Sequence, residues 1–478
     1  MRRSPDRFTL ACLLCAACAT PTPDDETPAP PDDSVDSEVT ASGPPLPWTD
    51  TPCLDLSRDA LYHQETIARW RVQDEEAPAP QGQLVVTGSS SIRRWEHAFR
   101  DLAPWGVIQR GVGGAHLTEV AASAPDLVLR HRPAGVLVFA GTNDIATGVS
   151  PDQVVIAWRC LVQQVHDALD DVPVVYIGIT PTPSRWSQWD LADTANREIE
   201  RLAGLHPLLG YVDLATPFLQ AGEPPDAALF AGDQLHLSAA GYELWTEAIL
   251  PILAAHLPER TPAPASDLAA GSYVRVDLGP SNPDDGLPAP AVDDFGIHWN
   301  RWHPLEGGDQ VLAGEALRDL VSTTGQRAGV DLVITGGFRA NGLQNGGLGS
   351  PDGARLGTLA VPEATVDFFY TETADDPGGL SLTGLDPSAT YTLRLFASRA
   401  DPERRVTRYV VHGAGQQEAA LVTSGTGVGE DGQDANQGTL AVLTGLSPDR
   451  WGQLHLDVQI AEGRFAYLSL LELEAEVR

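Results

Sequence analysis

The sequence predicts an α/β unit built on a parallel sheet, followed by an all-β sandwich or jelly roll. Three observations predict this. From residue 51 to about 256, short apolar runs bounded by turns alternate with stretches of helical spacing. Strand–helix alternation implies a parallel sheet covered on both faces. From 270 to 478 the texture changes to many short alternating runs parted by Gly- and Asp-rich turns, and long amphipathic helices are largely missing. That is the texture of a sandwich. Between the two, residues 257–269 carry Pro258, Pro262 and Pro264 and read as a linker.

The strand-like runs of the first unit are Gln83–Thr87, Val107–Arg110, Gly135–Ala140, Val174–Ile179 and Gly210–Leu214. The best helix start is Ser150, a capping residue with Pro151 at the first helical position and Gln153 placed for a capping box. Ile156, Cys160, Val162, Val165 and Leu169 then recur near helical spacing. A second apolar helix is predicted from about Ala239 to Leu250. In the second unit the clearest strands are Tyr391–Phe396, Tyr409–His412 and Gln453–Ile460.

Composition narrows the function classes. Of 478 residues 42% are hydrophobic, enough for buried cores, and the net charge of -34 argues against a nucleic-acid partner. All 31 basic residues are Arg, which excludes lysine Schiff-base chemistry. Arg2, Arg3 and Arg7 precede an apolar run, Phe8–Ala17, that is too short to span a bilayer. Residues 1–18 are therefore expected to be a signal peptide of an exported bacterial protein, secreted or held at the cell envelope. Cys18 after Ala16-Ala17 resembles a lipoprotein cleavage site, although Cys15 stands where Leu is usual. Lipidation of Cys18 is the expectation, a plain signal peptide the alternative, and a lipid anchor the one membrane attachment foreseen. Residues 19–50, rich in Pro and Asp, read as a solvated tether. Cys53 and Cys160 then remain as an even pair. A disulfide is expected between them, two unpaired core thiols being the alternative.

Four short blocks follow strands or precede a helix in the α/β unit, and ligands bind at the carboxyl ends of parallel strands. Gly88-Ser89-Ser90-Ser91-Ile92 can present a hydroxyl at a helix N-terminus, where developing negative charge is favoured. Arg110-Gly111-Val112-Gly113-Gly114 lets backbone amides approach a substrate. Gly141-Thr142-Asn143-Asp144 supplies an uncharged side-chain donor of the kind oxyanion stabilisation needs. Asp233-Gln234-Leu235-His236 can set a carboxylate on one imidazole nitrogen and leave the other as a general base. Each block alone is more commonly a loop, a turn or a cap. Their conjunction is far more specific. No Cys/His cluster has zinc spacing, and neither a metal nor a cofactor is called for.

In order and spacing, the four blocks of residues 60–256 resemble the SGNH (GDSL-like) hydrolase superfamily. The resemblance implies a flavodoxin-like three-layer α/β/α hydrolase domain over residues 51–256. It also implies a serine esterase with Ser90 as nucleophile, His236 as base and Asp233 as its orienting partner. Ser90 and Gly114 amides and the Asn143 side chain would form the oxyanion hole. Ser89 replaces the usual Asp. Gly-Ser-Ser-Ser-Ile-Arg with nearby Trp95 is similar to a subgroup of platelet-activating-factor acetylhydrolase-like and lysophospholipase-like esterases. Gln109 stands where that subgroup often has Asn. The stretch Thr180–Trp186 also resembles the subgroup, making Arg185 and Trp186 candidates for lining the site.

Residues 270–478 resemble a galactose-binding-like accessory β-domain through Val276–Gly279, Trp299-Asn300, Tyr391–Arg399 and Phe465–Leu468. Trp299 and Trp302 would either stack on sugar rings or fill the core. Arg399, Arg404, Arg405 and Arg408 would either bind an anionic glycan or form a solvated face balanced by carboxylates. The expected activity is hydrolysis of short acyl or acetyl esters, small or carried on polysaccharide. A lysophospholipase-type lipid esterase and a catalytically vestigial glycan-binding surface protein are the alternatives.

Overall fold

The computed structural model describes residues 45–48, 53–220, 222–261, 266–279, 288–302, 310–341, 346–374, 377–429 and 432–477. The expected signal peptide and Cys18 lie outside them. Five parallel strands, β1 (Leu84–Gly88), β2 (Val107–Gly111), β3 (Gly135–Phe139), β4 (Val174–Ile177) and β5 (Leu209–Val212), lie in the order β2-β1-β3-β4-β5. This is the flavodoxin-like order, with its switch point between β1 and β3.

Alternate strand residues feed two separate cores, as the two-residue period of a strand requires. Val85, Val136, Val138, Val174 and Tyr176 pack under the helices Gln64–Glu76, Leu117–Ala122, Pro151–Ala168 and Trp189–Ala203. Leu84, Val86, Leu137, Phe139, Val175 and Ile177 pack on the other face, against Trp95, Phe218 and the helix Ala239–His256. The result is a three-layer α/β/α arrangement. The capping box at Ser150 is formed in both directions, Gln153 N donating to Ser150 Oγ at 3.4 Å and Ser150 N to Gln153 Oε1 at 3.2 Å.

The second half is built of six-, five- and four-stranded sheets, antiparallel apart from the short pairing of Tyr273–Asp277 with Asn300–Arg301. One hydrophobic core runs through them, with Val274, Phe369, Leu393, Tyr409 and Leu471 among its buried members.

A buried polar contact ties the halves together. The Arg110 guanidinium, at the end of β2, donates to Asp74 Oδ1 at 2.6 Å and to the Gly314 carbonyl at 3.1 Å. Arg69 donates to Glu315 Oε1 at 2.6 Å beside it. Gly314 has φ +88, and a Cβ there would meet the Gln109 carbonyl oxygen at 2.2 Å, so only glycine lets the strands come this close. Nearby Ala316 and Val333 join the core that holds Leu84 and Val107. Elsewhere on the contact, Asp457 accepts from His412 at 3.1 Å and meets His97 of the first half at 3.3 Å.

Two expectations, the solvated end of the tether and the disulfide, are corrected, and for the Trp pair and the arginine cluster the structure decides between the stated alternatives. The end of the expected tether is packed rather than solvated. Leu46 and Trp48 are buried, and Trp48 lies against Trp158 with Arg159 over its ring. Two large apolar side chains gain more from burial than a short extended segment loses by being held. Cys53 and Cys160 are both free thiols, with no disulfide between them. Burial pushes the Cys160 thiol up to about 12, and a hydrogen bond with Cys53 adds to this. Trp299 and Trp302 are not sugar platforms, being 3% exposed. Trp299 donates to Asp293 at 2.9 Å, and Trp302 packs edge-on against Phe369. The arginines of the second half are balanced by carboxylates: Arg404 meets Glu462, Arg408 meets Glu418, Arg399 meets Asp401, and Arg405 meets both Asp401 and Glu403.

Candidate active site

Ser90 is the first residue of a one-turn helix, Ser90–Arg93, that follows β1 directly. The turn between them depends on Gly88. Its φ is +139, and a Cβ would meet the Phe139 carbonyl oxygen of β3 at 1.9 Å. The next amide, Ser89 N, donates to that same oxygen at 2.8 Å. Three contacts then hold the short helix. Gln109 Nε2 donates to the Ile92 and Trp95 carbonyls at 2.6 and 3.1 Å. Tyr242 Oη donates to the Ser91 carbonyl at 2.7 Å, and its ring stacks on Trp95. Gln109 thus performs a bracing role from the position where the resembling subgroup has Asn.

The structure brings Ser90, His236 and Asp233 into one hydrogen-bonded chain. Nε2 of His236 lies 2.8 Å from Ser90 Oγ, and Nδ1 lies 2.6 Å from Asp233 Oδ2. The other Asp233 oxygen accepts from the Leu235 and His236 amides at 3.0 and 2.9 Å, which fixes the turn. Such a carboxylate sets the tautomer, leaving Nε2 to accept a proton from the hydroxyl.

Electrostatics fit this arrangement. Burial pushes the His236 imidazole below its ordinary value. Asp233 pulls it back up, while Arg94 and Arg93 push it further down, and the net shift is downward. The ring is neutral at pH 7 and can act as a base. Partial burial pushes the Asp233 carboxyl up, but hydrogen bonds from the His236 ring and the two amides outweigh it and hold it at about 2.

The second and third blocks are locked to each other. Asn143 Nδ2 donates to the Ala115 carbonyl at 3.0 Å, one residue beyond Gly114. The buried Asp144 carboxylate accepts from Leu117 N through both oxygens, at 3.1 and 3.0 Å. Asp144 was not singled out from the sequence. Its signal was the acidic residue that follows Asn143, one that can accept hydrogen bonds from the amides of the neighbouring block. Arg94, 3.9 Å from Asp233 Oδ2, was likewise unforeseen.

A small pocket adjoins Ser90, lined by Asn143, Thr182, Arg185, Leu237, Phe139 and Trp245 among others, with a free volume of about 10 Å³. Arg185 donates to Thr142 Oγ1 at 2.9 Å and takes its expected place there. Trp186 does not line this pocket; it stacks on Trp189. Trp189 instead borders the neighbouring depression, along with Arg185 and Ile179.

Residues 77–244 match the model of the GDSL-like lipase/acylhydrolase family. No curated protein matches the chain. Solved structures similar to part of it include a protein described as a platelet activating factor from Streptococcus pneumonia, 18% identical, covering 41% of this chain and 96% of that one with a TM-score of 0.37. A GDSL-like lipase from Bacteroides thetaiotaomicron is 18% identical over 39% of this chain and 97% of its own, with a TM-score of 0.35. A catalytic mutant of an acetylxylan esterase from Geobacillus stearothermophilus is 15% identical over 37% and 95%, with a TM-score of 0.32.

Proposed function

Residues 77–244 form a GDSL-like lipase/acylhydrolase domain, and from that premise we propose that this chain is a serine esterase that hydrolyses short-acyl carboxylic esters through an acyl-Ser90 intermediate. The observation that carries the proposal is the unbroken chain from Ser90 Oγ to His236 to Asp233, at 2.8 and 2.6 Å.

In this reading His236 Nε2 takes the hydroxyl proton as Ser90 Oγ attacks the ester carbonyl. The oxyanion is held by the amides of Ser90 and Gly114 and by the Asn143 side chain. One hydrogen of Asn143 Nδ2 is spent on Ala115, and the amide has a second for the oxyanion. The tetrahedral intermediate collapses, the C–O bond breaks, and His236 returns the proton to the departing alcohol. Water, deprotonated by the same imidazole, then attacks the acyl-enzyme and releases the acid.

The pocket size favours a short acyl group. About 10 Å³ beside Ser90 is room for one water-sized group. An acetyl methyl suits that space, whereas a long fatty chain would need Phe139, Leu237 or Trp245 to move.

The test is hydrolysis of p-nitrophenyl acetate, butyrate and octanoate by the full chain beside Ser90→Ala. Acetate should have the highest kcat/KM, and the variant should lose activity on all three. Faster turnover of octanoate would overturn the short-acyl reading, and undiminished activity in Ser90→Ala would overturn the nucleophile.

A further inference from the structure

A cavity larger than the acyl pocket lies beside the candidate site. It is a cleft of about 280 Å³ between the α/β half and the sheets, lined by Arg93, Arg94, Gln310, Arg339, Tyr370 and Thr371 among others. Arg93 and Arg94 come directly after the Ser90 turn. Arg94 lies 3.9 Å from Asp233, and the Arg93 guanidinium lies against Gly113, whose Cβ would sit 3.3 Å from it. The cleft therefore begins beside both the base and the second block. Its far wall belongs entirely to the second half of the chain.

The charge is the reverse of the rest of the molecule. In a chain of net charge -34, three arginines face this cleft against one lining carboxylate, Glu372, which lies 3.3 Å from Arg339. Among the described residues Arg93 has no ion-pair partner. An acidic protein that gathers guanidinium groups beside its reactive centre creates a local well for anions. A second cavity of about 220 Å³ shares Tyr370 and Glu372 with the cleft and adds Arg399, Arg405, Phe465 and Tyr467. Together they are lined by guanidinium groups and aromatic rings, Arg399 and Arg405 already meeting carboxylates and Arg93 and Arg94 lying nearest the candidate site, with amide and hydroxyl groups from Gln310 and Thr371. A ligand that matches them carries negative charge, many hydroxyls and flat apolar faces, and extends beyond one ring.

On the basis of the esterase reading above, we propose that this cleft binds the alcohol portion of the substrate, and that this portion is a carboxylate-bearing polysaccharide. The arginines take the sugar carboxylates, and Tyr370 takes a ring face. The acyl ester of the sugar nearest Arg93 and Arg94 then lies at Ser90. The sheets thereby supply one wall of the substrate site rather than a separate binding module.

Binding can be read without catalysis, so the test separates this proposal from the esterase reading. The full chain carrying Ser90→Ala is titrated calorimetrically with an oligogalacturonate, with a neutral galacto-oligosaccharide of equal length and with glycerol 3-phosphate. The acidic oligosaccharide should bind at least about tenfold more tightly than the neutral one, and more weakly as salt rises. Adding Arg339→Gln or Arg93→Gln should weaken it at least about tenfold. Arg339→Lys should recover part of the loss, and Arg404→Gln, outside both cavities, should not change it. Equal affinity for acidic and neutral sugars, or no effect of Arg339→Gln, would overturn the proposal. Tighter binding of glycerol 3-phosphate than of the oligogalacturonate would overturn the saccharide assignment. A wild-type chain that binds oligogalacturonate yet hydrolyses no ester would sink the esterase reading and leave the cleft standing.

Discussion

Oδ2 of Asp233 faces two nitrogen partners: the imidazole of His236 at 2.6 Å and the guanidinium of Arg94 at 3.9 Å. Burial lowers the imidazole pKa, the carboxylate raises it and Arg94 lowers it further, so His236 is poised by its enclosure and by neighbours within four residues of Ser90 or of itself.

That balance predicts a pH profile. In the proposed mechanism the neutral imidazole is the active form, and burial with the nearby arginines holds its pKa below the ordinary 6.5. kcat/KM for p-nitrophenyl acetate should therefore be flat at neutral pH and fall on acidification with an apparent pKa under 6.5. Arg94→Gln removes a positive charge, so the imidazole should protonate more readily and the acid limb should move to higher pH. An unmoved or downward-moved limb would contradict the arrangement.

Loss of the proposed nucleophile should be severe. Ser90→Ala should reduce kcat at least about a thousandfold, since the remaining groups still bind and polarise the ester but form no acyl-enzyme. Asn143→Ala should cost on the order of 10²–10³ in kcat with little change in KM, the pattern of a donor used in the transition state.

A buried carboxyl pair should govern stability against pH. Burial pushes both Asp277 and Asp367 well above the carboxylate range; Asp277 raises Asp367 further, and Glu363 raises both. Asp367 is fully buried, and neither of its carboxyl oxygens has a hydrogen-bond partner among the described residues. A raised folded pKa means the folded state keeps a proton that the unfolded chain releases above about pH 4. Stability from this pair is present at acid pH and is lost as pH rises toward the folded values. Asp367→Asn keeps the shape without the charge. Its Tm should exceed that of wild type by more at about pH 8 than at about pH 5. A constant difference would refute the assignment.

Gly314→Ala should destabilise the chain by about 2 kcal/mol or more, because it adds both a left-handed backbone penalty and a steric contact with the Gln109 carbonyl. A thermal melt of the purified variant measures this directly. A Tm within a degree of wild type would mean that the strands can separate freely.

What the sequence made legible follows from what is local. The five strands were readable within a few residues because they are short apolar runs closed by Gly or polar turns. The helix from Ser150 was readable because its cap is three residues of local chemistry. The four site blocks were recognisable as motifs, and folding brings Ser90, Asn143, Asp233 and His236 to one end of the sheet. Long-range pairings were not legible. Nothing in the spacing of Arg110 and Gly314 announces a contact across 204 residues. Trp299 and Trp302 could not be placed inside or outside the core, since each sits in a short segment without a sustained two-residue period. Leu46 and Trp48 stood among prolines, where no periodicity marks a buried face. Arg94 acts through a carboxylate 139 positions along the chain, met only after folding.

Gly314 also bears on how such a chain could be rearranged by recombination. A shuffled gene that replaced residues 270–478 with another β-sandwich would bring a foreign loop against Gln109. Unless that loop offered a glycine and a carbonyl at the same spot, Arg110 would be left buried beside Asp74 with donors unmet. The two halves are thus matched parts rather than interchangeable cassettes.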